Sequence, residues 1–170
     1  EEVRFRTAFT QLMEKMSGQL DESFYQHLLE HAVTTIPGAQ GGSLLYRGND
    51  DFFNFVAAVG FDREALQKVS YAADEVWLDM GDFKPQIIHG HMRPDLDSER
   101  SRYLASVGRT DEIRVTLSTP IVREERVIAI FCLDNFESET AFDEQAVETA
   151  LLYARQACAL MERFKLEATL

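Results

Sequence analysis

The chain has 170 residues, 45% of them hydrophobic, with a formal net charge of −12 and two cysteines. That length and apolar content support one compact core, and no Gly/Ser-rich or Pro-rich linker interrupts it, so a single domain over 1–170 is expected. The charge argues against a nucleic-acid partner, which would need clustered Lys and Arg to displace condensed counterions, whereas the cations here are scattered among acids. No window is long and apolar enough to span a bilayer, and the opening Glu-Glu-Val-Arg-Phe-Arg has neither a basic nor an apolar leader region, so a cytoplasmic domain excised from a longer chain is expected. Cys132 within an apolar strand and Cys158 within a helix fit free, buried thiols of a reduced compartment.

In chain order, Phe5, Phe9, Leu12 and Met16 recur at helical spacing and predict an amphipathic helix over 3–17, ended by Gly18. Asp21 is placed to cap a second helix running to about Ile36, where Pro37-Gly38 stops it. Residues 43–47 and 53–59 read as strands joined by Gly48-Asn49-Asp50-Asp51, an antiparallel pair. Asp62 opens a short helix over 62–69. From 71 to 111 the pattern weakens into a long functional loop, with a short strand at 86–89 and a helical turn near 97–106. Residues 115–122 form a strand in which Pro120, lacking an N–H, marks an edge or a bulge, and the charged turn 123–126 returns the chain into 127–133. That run is apolar at both parities, so both faces of the strand must be covered. The last helix, over 145–170, places Val147, Ala150, Ala154, Ala157, Met161 and Phe164 on a heptad seam. With the helix over 3–17, this seam predicts a parallel homodimer joined through its terminal helices.

Three polar groupings are candidates for chemistry. His27-Leu28-Leu29-Glu30-His31 fits the H-x-x-E-H metallopeptidase pattern, but its polar side chains point away from the apolar face of their helix and no third ligand is legible, so a solvated face is expected. His89, His91 and Arg93 cluster after the 86–89 strand and could grip an anionic ligand or a haem iron, or simply form a polar loop. Trp77, Phe83 and Tyr103 could wall a small-molecule site beside them or plug an empty one. Asp134 and Asn135 close the central strand; capping is the expected role, coordination of a ligand the other. No nucleophile with an adjacent base, phosphate loop or metal spacing is present, so no catalysis is expected and the cofactor is unknown.

The order of these elements, with Ile36–Leu45, Phe55–Phe61, Leu117–Ile121, Val127–Phe136 and Phe142-Asp143, resembles a GAF domain. The resemblance implies an α+β, profilin-like fold: a central antiparallel sheet of about six strands, terminal helices on one face and a loop-rich lid with short helices on the other. It implies a non-catalytic sensory or regulatory module that binds a small molecule beneath the lid, with Trp77, Phe83, His89, His91, Arg93 and Tyr103 as its ligand-binding residues. The signal would pass through the C-terminal helix to a covalently linked diguanylate cyclase, phosphodiesterase or histidine kinase output domain. The alternative is a ligand-free dimerisation scaffold. Asn135-Phe136 departs from the family's Asn-Lys cyclic-nucleotide signature, and the absence of cysteine over 71–111 removes thioether-linked bilin attachment and thiol catalysis from the expectation.

Overall fold

The computed structural model describes residues 22–76, 82–89 and 98–169. The helix expected over 3–17 and Asp21, the expected cap of the second helix, lie outside the described residues. The elements run α1 (Glu22–Thr35), β1 (Gly41–Arg47), β2 (Phe53–Val59), α2 (Arg63–Leu66), β3 (Ser70–Tyr71), β4 (Gln86–His89), α3 (Ser98–Val107), β5 (Val115–Arg123), β6 (Arg126–Asn135) and α4 (Glu144–Thr169). The described strands form one antiparallel sheet in the order β3-β2-β1-β6-β5-β4. Strand β3, two residues long, was not legible as a strand; it exists only because Phe53 and Asn54 offer it a ladder.

Strand β6 is covered on both sides. Ala129, Phe131 and Leu133 join the core under α1 and α4, while Val127, Ile130 and Cys132 join a second core under α2 and α3. β5 tolerates Pro120 because β4 pairs only with Val115–Ser118, leaving Pro120 beyond the end of that partner, and a bulge follows at Ile121/Val122. On the outer side of β2, the Gln26 amide of α1 takes the place of a strand: Nε2 donates to Ala58 O at 2.7 Å and Oε1 accepts from Ala58 N at 3.1 Å. This satisfies an edge that β3 is too short to reach.

The seam of α4 faces inward. Ala150, Ala154, Ala157 and Met161 are buried in the core of their own domain against β5, and their small side chains let the helix lie close to the sheet. The outward face carries Gln145, Glu148, Arg155, Ala159 and Glu162, which is polar. The heptad reading as an interface between copies is therefore corrected for these four residues: the 3-and-4 spacing identified a buried face, and a sheet rather than a partner helix covers it.

Tyr153 ties the two helices together. Its ring meets Phe131 edge-on at 5.6 Å, its hydroxyl donates to Leu28 O at 2.7 Å, and His31 Nδ1 lies 3.0 Å from the same oxygen. With the hydroxyl proton on Leu28 O, Nδ1–H is the donor from His31. His31 is thus half-buried rather than solvated as the sequence suggested, whereas His27 and Glu30 are exposed. No metal-binding cluster of three His, Cys, Asp or Glu occurs among the described residues, and no described helix is long and apolar enough to cross a membrane. Neither cysteine forms a disulfide; Cys132 is buried and Cys158 half-buried.

Two predictions follow from this packing. Gly38 adopts φ +93°, and a Cβ there would stand 2.5 Å from Ala141 O at the entrance to α4. Gly38→Ala should destabilise the fold by more than about 1 kcal/mol in urea titrations, since both the backbone conformation and the space forbid it. Burial holds the His31 imidazole below its ordinary value. Because the unfolded chain then binds the proton more readily, the contribution of His31 is complete above its unfolded value of about 6.5 and is lost as pH falls through the folded one. The unfolding free energy of the parent chain should therefore drop more steeply than that of His31→Gln between about pH 7.5 and about pH 5; equal slopes would contradict the buried neutral imidazole.

Candidate functional site

Strand alternation delivers polar side chains to the lid-side face of the sheet. Ser43 on β1, Thr116 and Ser118 on β5, and Cys132 and Asp134 on β6 all point away from α1 and α4, because their neighbours Leu44, Val115, Leu117, Phe131 and Leu133 point toward them. Helix α2 contributes Leu66 and α3 Leu104. Asp62 fixes α2 by accepting from Ala65 N at 3.3 Å, and Tyr103 Oη anchors α3 to it by donating to Ala65 O at 2.7 Å.

Between these layers lies a cavity of about 20 Å³ lined by Ser43, Phe55, Phe61, Leu66, Leu104, Gly108, Thr110, Ile113, Cys132 and Asp134. It has room for roughly one water molecule. Asp134 is 4% exposed, and its Oδ1 accepts from Thr116 Oγ1 at 2.6 Å. Thr110 is 3% exposed, and its hydroxyl has no hydrogen-bond partner among the described residues; the same holds for the Ser118 hydroxyl on the same face of the sheet. A buried hydroxyl without a partner costs about 1–3 kcal/mol, so the cavity presents hydrogen-bonding capacity that the protein leaves unused. Its charge character is equally specific: one carboxylate and no cationic side chain among the lining residues. Such a wall favours neutral or cationic donors over anions.

One edge of the cavity connects to the root of α4. Arg109, between the lining residues Gly108 and Thr110, has φ +49° and places its guanidinium 4.4 Å from the centre of the Phe136 ring. It also grips Glu112 through Nε at 2.9 Å and Nη2 at 3.3 Å, and donates from Nη1 to Gly60 O at 3.3 Å. That pairing raises the Arg109 pKa and lowers that of Glu112. Phe136 in turn lies 6.0 Å from Phe61, a cavity wall. One residue before it, Asn135 Nδ2 donates to Gly38 O at 2.8 Å while Oδ1 accepts from Glu137 N and Ser138 N at 2.9 and 2.8 Å. Asn135 is therefore the cap that the sequence suggested, and Asp134, its neighbour on the opposite face, is the one that reaches the cavity.

Of the six ligand-binding residues expected from the sequence, Trp77, His91 and Arg93 lie outside the described residues. Phe83 has φ +57° and lines a separate groove of about 230 Å³ with Pro120, Val122, Leu151, Ala154 and Arg155 at the sheet edge. His89 is exposed opposite Val115 at the end of β4. Tyr103 packs beside the cavity and holds α2 to α3 without lining it. Sequence reasoning passed over Ser43 and Thr110. Ser43 carried a signal, a polar residue at lid-side parity in an otherwise apolar strand; Thr110 sits in a loop and carried none.

The sequence model for the GAF domain matches residues 21–162. No curated protein matches the chain. Among solved structures, the GAF domain of a phosphoenolpyruvate-protein phosphotransferase from Coxiella burnetii is similar at 14% identity and a TM-score of 0.71, covering 98% of this chain and 97% of that one. A GAF domain of a protein described as a sensor histidine kinase from Pseudomonas syringae pv. tomato is similar at 20% identity and a TM-score of 0.63, covering 98% and 89%. Residues 122 to 287 of a methyl-accepting chemotaxis protein are similar at 20% identity and a TM-score of 0.66, covering 96% and 99%. With the family match spanning most of the described residues and six antiparallel strands between terminal helices and an irregular cover, the chain belongs to the GAF domain family.

Proposed function

We propose that this domain is a regulatory sensor: a small neutral or cationic molecule carrying hydrogen-bond donors enters the lid-side cavity, and its occupancy is relayed to α4. The observation that carries the reading is the Thr110 hydroxyl, buried without a partner in a cavity that also holds Asp134. A ligand of any size beyond a water must push α2, α3 or the 108–113 segment outward. Moving that segment moves Arg109, and with it the face of Phe136 and the capped turn from which α4 departs. Two arrangements of that turn would give α4 two orientations, which is how binding could bias a linked output. The sensor-kinase and chemotaxis proteins with similar folds support a signalling context. Within it, a diguanylate cyclase, phosphodiesterase or histidine kinase following α4, and a dimer of the whole chain in the cytoplasm, are the finer parts of the same proposal; sedimentation at high concentration tests the dimer.

The second reading, a scaffold without a ligand, is favoured by the small volume of the cavity. The two separate cleanly. Under the sensor reading, a thermal-shift screen of amines, amino acids, nucleobases and haem finds a compound that stabilises the chain by about 2.7 kcal/mol at a hundredfold excess over its dissociation constant, and Thr110→Val loses most of that gain. Under the scaffold reading nothing in the screen stabilises the chain, and Thr110→Val is neutral or stabilising because it removes an unsatisfied hydroxyl at constant shape.

A further inference from the structure

The end of the sheet remote from the start of α4 holds a larger cleft, about 290 Å³, between the β1–β2 and β5–β6 turns. Its walls bring together three guanidinium groups, Arg47, Arg123 and Arg126, in a chain whose net charge is −12. Arg47 comes from the end of β1, while Arg123 and Arg126 face each other across the β5–β6 turn. Asp51 sits among them, 3.5 Å from Arg47 Nε and hydrogen-bonded to Arg126 Nη2. Arg47 is held from behind, Nη1 donating to Val127 O at 3.3 Å and the guanidinium lying 5.4 Å from the Phe53 ring centre, yet its buried Nε makes no hydrogen bond among the described residues. The Arg123 side chain has no hydrogen-bond or ion-pair partner among the described residues. The cleft thus sets three guanidinium groups against two carboxylates, Asp51 and the exposed Glu124, and only Asp51 is bonded to them.

We propose that this cleft is an oxyanion site for a small phosphate-bearing molecule, in which Asp51 occupies the anion position until the ligand displaces it. Guanidinium forks match phosphate oxygens in pairs, and three of them converge here. Displacement is cheap because Asp51 is 64% exposed and Arg126 53% exposed, and exposed ion pairs are weak. Glu124 also lines the cleft but is exposed to water, and it limits affinity without filling the site. The turns that carry the acids hold Asp51, Glu124 and Glu125 at φ of 67°, 51° and 60°. Positive φ at both Glu124 and Glu125 suits the two-residue turn that pairs Arg123 with Arg126 and so holds these two guanidinium-bearing residues side by side. Occupancy would also be felt by α4, since Cys158 Sγ donates to Val122 O at 3.3 Å and Arg123 and Glu162 both act on that thiol. The lid-side cavity, with a carboxylate and no cation, and this cleft therefore select opposite charges.

The test is a titration of the whole chain with inorganic phosphate at ionic strength held constant with sodium chloride, read at the arginine Nε–H signals by NMR. Saturable shifts are expected at Arg47, Arg123 and Arg126 but not at Arg109, which Glu112 already holds. Asp51→Asn keeps a residue that tolerates positive φ and removes the competing charge, so it should tighten phosphate binding by about fivefold. Arg123→Gln should weaken it by about the same factor. Arg114→Gln, at an exposed arginine outside the cleft, should leave it unchanged. Shifts that grow linearly and alike at every arginine would overturn the site, as would a folded Asp51→Asn that binds phosphate no better than the parent. Should Asp51→Asn fail to fold, an unaltered affinity in Arg123→Gln is sufficient to refute it.

Discussion

Strand β6 has no solvent face, and the rest of the structure is arranged around that fact. Its neighbours β1 and β5 pair with it along nearly their whole length, and its side chains enter two separate cores. The burial of Val127, Ile130, Phe131 and Leu133 is favourable only if two layers cover them, at about 25 cal/mol per Å² of apolar surface removed from water. The two covers are unlike. On one side α1 and α4 lie flat, because Ala146, Ala150, Ala154 and Ala157 permit close approach and Tyr153 fills the space between. On the other side α2 is a single turn and α3 is ten residues of mixed polarity, so the cover is looser and a cavity remains.

The looser side is also the polar one, and the alternation of β6 couples it to the helices. Asp134 and Asn135 are consecutive, so they must face opposite ways. One reaches the cavity and is held by Thr116; the other holds Gly38 and the first two amides of the turn before α4. Any displacement of the strand end that suits one must be felt by the other. Phe136 extends the same logic sideways, since its ring contacts both Phe61 and Arg109, while its amide donates to Gln40 Oε1 at 2.8 Å. The chain thus has a short physical path from cavity wall to helix root, made of hydrogen bonds and one cation–π contact rather than of a hinge.

Charge is sorted along the sheet. Among the described residues Arg47, Arg123 and Arg126 gather at the β1–β2 and β5–β6 turns, with Asp51 and Glu124 beside them. The two concavities therefore sit at different places with opposite preferences, and α4 passes both: it starts beside the capped turn after β6 and runs past Val122 at the far end.

Periodicity in the sequence was sufficient for the described elements other than β3. The doubly apolar run of β6, the stop at Pro37-Gly38, the edge position of Pro120 and the short strand 86–89 follow from local chemistry: alternation, a missing N–H, a left-handed glycine. The same information named a buried face on α4 but not what covers it, because a 3-and-4 spacing is satisfied equally by a partner helix and by a sheet. Likewise it could not separate Asp134 from Asn135, or find Thr110, or make His31 a bridge to Tyr153. Those are contacts between residues far apart in the chain, so only tertiary packing, which decides which side chains share a cavity and which lose water, could settle them.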